Sequence, residues 1–124
     1  GVIDAEGPLY LATRAAVLST ANPFYYEGSA LAGVGSPHTP EGYVWPIAKS
    51  VEGLTSTRID EKRAILDLLL ATTGGTGYMH EGVDCNDPTA FTREWFSWSN
   101  AMFCELALDV AGIPRPALVA EPLL

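Results

Sequence analysis

The sequence is short of cysteine, of positive charge and of long apolar runs. Its two cysteines, Cys85 and Cys104, stand far apart with no CxxC pair. That is too few for a disulfide framework and the wrong spacing for a structural zinc site. Seven basic residues face fifteen acidic ones, a net charge of −8. This balance argues against nucleic acid or an anionic membrane surface as partner. No apolar run approaches the roughly 18 residues that a membrane span needs. There is no GxSxG elbow and no phosphate-loop lysine, so the serine-hydrolase and P-loop chemistries lack their motifs. The opening GVIDAEGPLY has no basic stretch followed by a long apolar one, and it does not read as a signal peptide. It enters directly into what reads as the middle of a domain. Internal repeats and low-complexity segments are also missing.

What is present suits one small folded region spanning 1–124. Hydrophobic residues make up 48% of the 124, too many for a disordered chain and enough for a modest core. Helical spacing predicts a first helix over 8–19, with Leu11, Ala15 and Leu18 on one face and Pro8 in the first turn. A second is predicted over 45–54, opened by Pro46 and closing near Gly53. A third covers 59–72, where acids lead, Ile65, Leu66, Leu69 and Leu70 mark a face, and Gly74-Gly75 stops it. The last covers 94–111, apolar nearly all round at its start and ended by Gly112 and Pro114, which predicts burial on more than one side. Cys104 falls in it as a small core residue. Residues 113–124 read as a proline-broken tail. Alternation of strand type is not evident, so the expected class is all-α, with about four main helices and long loops. Such a core needs neighbours, as part of a helical array does.

Two loops place ionisable groups beside aromatic rings. Thr20 to Gly42 is longer than a structural connection requires and holds Phe24, Tyr25, Tyr26, Glu27 and His38; its aromatics argue against disorder. The stretch MHEGVDCNDPTAFTREWFSWSN, 79–100, places His80, Glu81, Asp84, Asp87, Arg93 and Glu94 beside Trp95, Phe96 and Trp98. On spacing alone it reads first as a solvated loop capping a buried helix. The sharper reading is a sugar pocket, where carboxylates and imidazoles read hydroxyls and indoles stack on the apolar face of the ring.

Metal and cofactor readings fail on detail. A metalloprotease helix needs a second histidine four after His80, where Asp84 stands, and Gly82 interrupts the helix. Asp84-Cys85-Asn86 starts like a calcium loop, but Pro88 and Thr89 occupy positions needed for a ligand and a glycine. Gly33-Val34-Gly35 lacks the third glycine of a dinucleotide fingerprint. No metal and no cofactor is therefore expected. Cys85 lies among carboxylates that disfavour its thiolate, so it is not a nucleophile.

Acids beside aromatics leave glycoside hydrolysis. An inverting enzyme needs one carboxylic acid to protonate the leaving oxygen and one carboxylate to activate water on the opposite face. Of Glu81, Asp84, Asp87 and Glu94, Glu81 is the best base, because a histidine neighbour and flexible glycines can aim it into a cavity. Asp87 suits a cap and Glu94 a first-turn acid. Arg93 is expected to pair with one of these acids in a structural role.

The segments NPFYYEG (22–28), GVGSPHTPEGYVWPIAKSVEGLTS (33–56) and GTGYMHEGVDCNDPTAFTREWFSWSNAMFCELALD (75–109) resemble the C-terminal part of glycoside hydrolase family 125. These are microbial exo-acting α-1,6-mannosidases with an (α/α)6 barrel. The similarity runs from about Leu9 to Asp109. It implies an inverting, metal-independent hydrolase acting on mannose-terminated oligosaccharides, with Glu81 of the MHE motif as general base. It makes Ser36, His38, Thr39, Trp45 and His80 walls or hydroxyl readers of the mannose pocket. Turn geometry for Ser36 and core packing for Trp45 are the plainer alternatives. Two departures accompany it. The family pattern after His-Glu is usually Ser-Phe, where this chain has Gly82-Val83. The family's general acid belongs to an Asp-rich motif before this segment, for which Asp4 is a poor match. The chain therefore reads as the base-bearing C-terminal portion of an α-mannosidase, missing the N-terminal part of the barrel and nearly inactive alone. The alternative is a non-catalytic remnant that binds sugar or merely packs.

Overall fold

A computed structural model describes residues 3–114. The elements run α1 (Pro8–Val17), β1 (Tyr25–Glu27), β2 (Ala32–Val34), β3 (Tyr43–Val44), α2 (Pro46–Leu54), α3 (Ile59–Ala71), β4 (Gly82–Asp84), β5 (Phe91–Thr92) and α4 (Ser97–Val110). The four expected helices are present, but the chain is not purely all-α. β1 and β2 form an antiparallel pair, and β3-β4-β5 form a three-stranded antiparallel sheet. A strand of two or three residues offers at most two side chains on a face, so alternation has no length over which to show.

Helix boundaries follow local chemistry. Pro8 and Pro46 sit in the first turns of α1 and α2, where a missing N–H costs nothing. After α3 the chain turns through Gly74 and Gly75 at φ of 59° and 82°, a region open to glycine without strain. Just past α4 the chain turns at Gly112, φ 70°, with Ile113 N–H donating back to Leu108 O at 3.0 Å, a C-terminal closure of the kind glycine favours.

Two apolar clusters divide the core. One joins Leu31, Val44, Val83 and Cys85 across the sheets; the other joins Ile65, Leu69, Met79 and Leu106 between helices. α3 serves both, because Leu68 packs on the first cluster while Ile65 and Leu69 belong to the second. α2 meets α4 closely at Gly53, where an added Cβ would lie 2.9 Å from Leu106 Cδ1.

Several expectations need correction. α4 begins at Ser97, so Glu94 precedes the helix and is not its first-turn acid. Cys104 is exposed rather than a core residue, and Trp98 and Leu108 on the same helix are exposed too. Only Ser99 and Leu106 of α4 are buried. Leu70 stands outside the buried face of α3, and Leu11 of α1 is exposed. An apolar helix face becomes buried only where another element covers it, and among the described residues these faces are uncovered. The tail expected from 113 onward lies, past Pro114, outside the described residues.

Candidate functional site

The MHE loop crosses from one cluster to the other. Met79 is anchored in the helical cluster and Val83 in the sheet cluster. Of residues 79–83, Met79, His80, Gly82 and Val83 are buried, and Glu81 alone is not. The loop is thus pinned on both sides of one carboxylate.

Each residue of the loop is held by the segment 91–100. Asn100 brackets Met79, its Oδ1 accepting from Met79 N–H at 3.1 Å and its Nδ2 donating to Met79 O at 3.0 Å. Ser99 Oγ donates to His80 O at 2.7 Å. The His80 ring is fully buried and stacks on Phe91, 3.7 Å between centroids. Its Nδ1 lies 3.1 Å from Arg93 O and its Nε2 3.0 Å from Thr73 O. Glu81 N–H donates to Thr92 O at 3.1 Å. Finally Arg93 Nε donates to Glu81 Oε2 at 2.9 Å, so the expected arginine–acid pair forms. The Glu81 side chain is 16% exposed and that of Arg93 64%.

The other candidate carboxylates are committed to turns or stand apart. Asp84 Oδ1 accepts the N–H groups of Asn86 and Asp87. Asp87 Oδ1 accepts both the N–H and the hydroxyl of Thr89, and these bonds hold its carboxyl below the ordinary value. Glu94 is exposed before α4. Cys85 is buried, and burial first, then the Asp84 charge, pushes its thiol up, consistent with an inert packing residue.

The second loop reaches the first through a small contact. A Cβ at position 82 would lie 2.9 Å from Thr39 Cγ2, so Gly82 lets the Ser36–Thr39 turn lie directly on the strand that follows Glu81. Ser36 is buried and builds this turn. Its Oγ accepts His38 N–H at 3.1 Å, and its carbonyl accepts Thr39 N–H and Oγ1 at 3.2 Å each. His38 is thereby carried into solvent, with its ring unbonded among the described residues. Trp45 goes elsewhere. It lines an apolar groove of about 420 Å³ between α1 and α2, with Tyr10, Val17, Ile47 and Val51. Glu81, His38, Thr39 and His80 do not line that groove.

Residues that the sequence reading passed over hold the site in place: Phe91, Thr92, Ser99 and Asn100. Their signal was present only as proximity, since Phe91 and Thr92 form β5 and Ser99 and Asn100 lie in the first turn of α4, all within ten residues. Nothing in that stretch says which of them turns back onto residues 79–81.

The model of the metal-independent α-mannosidases, glycoside hydrolase family 125, matches residues 1–108. A curated relative, the meiotically up-regulated gene 157 protein of Schizosaccharomyces pombe, is 43% identical over 111 residues, covering 89% of this chain and 22% of that protein. A solved structure of a Streptococcus pneumoniae metal-independent α-mannosidase is 49% identical, with a TM-score of 0.89. It is described as a non-productive substrate complex with α-1,6-mannobiose, and the match covers 90% of this chain and 26% of that one. The chain is thus a stretch of a glycoside hydrolase fold. It belongs to glycoside hydrolase family 125, the metal-independent α-mannosidases, and spans about a quarter of the length of these relatives.

Proposed function

We propose that this chain is the base-bearing portion of an exo-acting α-1,6-mannosidase, with Glu81 as the general base of an inverting single displacement. The observation that carries this reading is the placement of Glu81. It is the one residue of 79–83 left unburied, on a loop whose every neighbour is tied down. A general base must be held still yet reach water, and this carboxylate has one oxygen bound to Arg93 and one unbonded among the described residues. In the proposed step Glu81 takes a proton from water as the oxygen attacks the anomeric carbon. A carboxylic acid on the opposite face protonates the departing glycosidic oxygen, with roughly 6.5–9.5 Å between the two carboxyl groups.

That acid comes from outside this chain in our reading, because the acids near Glu81 are committed to turns or exposed. His38 and Thr39, on the turn beside Gly82, are proposed to meet mannose hydroxyls. Ser36 shapes that turn, and His80 acts by supporting Glu81. Trp45 faces the α1–α2 groove, where the proposed occupant is the remaining part of a family-length barrel. The mannobiose complex of the streptococcal relative supports a mannose-terminated oligosaccharide as ligand.

The test joins this chain behind the preceding part of the streptococcal enzyme and follows mannose release from α-1,6-mannobiose. The hybrid should turn over, Glu81→Gln should abolish turnover while leaving binding intact, and the 124-residue chain alone should release almost nothing. Wild-type rates in the Gln variant would remove Glu81 from the role.

A further inference from the structure

Arg93 is the only non-glycine residue among those described with positive φ, at 52°. A side chain in the left-handed region crowds its own backbone, so an arginine there is strained and a glycine would not be. The strained residue stands between β5 and α4, and three contacts converge on it. Its carbonyl faces His80 Nδ1 at 3.1 Å. Its Nε donates to Glu81 Oε2 at 2.9 Å. Its guanidinium carbon lies 5.6 Å from the centre of the Phe96 ring, a cation–π distance.

Stability is a weak reason to keep this arrangement. The arginine side chain is 64% exposed against 16% for Glu81, and a single ion pair held from the solvent side contributes little to folding. The geometry is also one-sided. Only Nε donates to the carboxylate, and only Oε2 accepts, whereas an arginine that simply clamps a carboxylate uses two parallel bonds. The result is a carboxylate fixed at one oxygen with the other open.

The geometry points to Arg93 as a positioning residue for the base: its left-handed backbone aims Nε at Oε2 of Glu81, fixes the carboxylate plane and leaves Oε1 to take the proton from water. This rests on Glu81 as base. The backbone carbonyl of Arg93 adds a second line of control through the His80 ring, which the same loop places immediately before Glu81.

Arg93→Gly removes the guanidinium and relieves the strain together, so the structural and positioning roles predict opposite signs. In the 124-residue chain, the Gly variant should melt at or above the wild-type temperature. Labelling of Glu81 by a carbodiimide and an amine, read by mass spectrometry, should rise several-fold. A lower melting temperature, or unchanged labelling, would overturn the proposal. In the hybrid enzyme, Arg93→Gly should lower kcat at least tenfold with KM nearly unchanged, and guanidinium ion should restore part of the loss. Arg93→Lys, which cannot present Nε in the same fork, should also fall. Turnover lost in Glu81→Gln but kept in Arg93→Gly overturns the positioning role alone. Turnover kept in Glu81→Gln overturns the base assignment beneath it.

Discussion

The imidazole of His80 lies flat against the phenyl ring of Phe91, with centroids 3.7 Å apart and planes 4° from parallel. This one contact ties the residue before the proposed base to strand β5, and so to the sheet cluster where Phe91 packs.

Phe91→Ala should therefore act on the site as well as on the fold. Removing a partly buried ring that stacks and packs should cost about 2 kcal/mol. Chemical denaturation would measure that loss. Amide exchange at Glu81, whose N–H is bound to Thr92 O, should accelerate beyond what the global loss explains.

Gly28 should tolerate no side chain. A Cβ there would lie 2.3 Å from the carbonyl oxygen of Cys85, the same oxygen that accepts the N–H groups of Ala30 and Leu31. Backbone cannot yield as a flexible side chain does. Gly28→Ala should cost about 3 kcal/mol, measured as a shift in the urea midpoint with little change in slope.

The acid limb of stability should carry the signature of Glu61. Its carboxyl accepts the Ser56 hydroxyl and pairs with Arg14, and these, Ser56 foremost, hold it below its ordinary value of 4.5 against the opposing effect of burial. A group whose folded value is depressed stabilises above its unfolded value and loses that contribution as pH falls through the folded one. Glu61→Gln should thus melt lower than wild type at neutral pH, and the gap should close below pH 4.5. Melting temperatures across that range decide it.

The α1–α2 groove should drive association of the chain by itself. Val17 and Val51 line it and are exposed, and uncovered apolar surface of this kind seeks a partner. Val17→Lys with Val51→Lys should reduce concentration-dependent self-association in analytical ultracentrifugation. The same pair should weaken the hybrid enzyme if that groove takes the rest of the barrel.

The residues alone determined four helices within a few positions and the pairing of Arg93 with an acid. Helix periodicity and proline and glycine stops act within one turn of chain, so they are legible locally. The five short strands were not, because two or three residues carry no period. Nor were Phe91, Thr92, Ser99 and Asn100, whose work is done on residues 79–81 across a fold of the chain. Tertiary structure decided which apolar faces are covered, turned Trp45 into a groove away from the MHE loop, and gave Arg93 its left-handed backbone. Each of these depends on what packs from a distance in sequence, and no local preference of the chain encodes it.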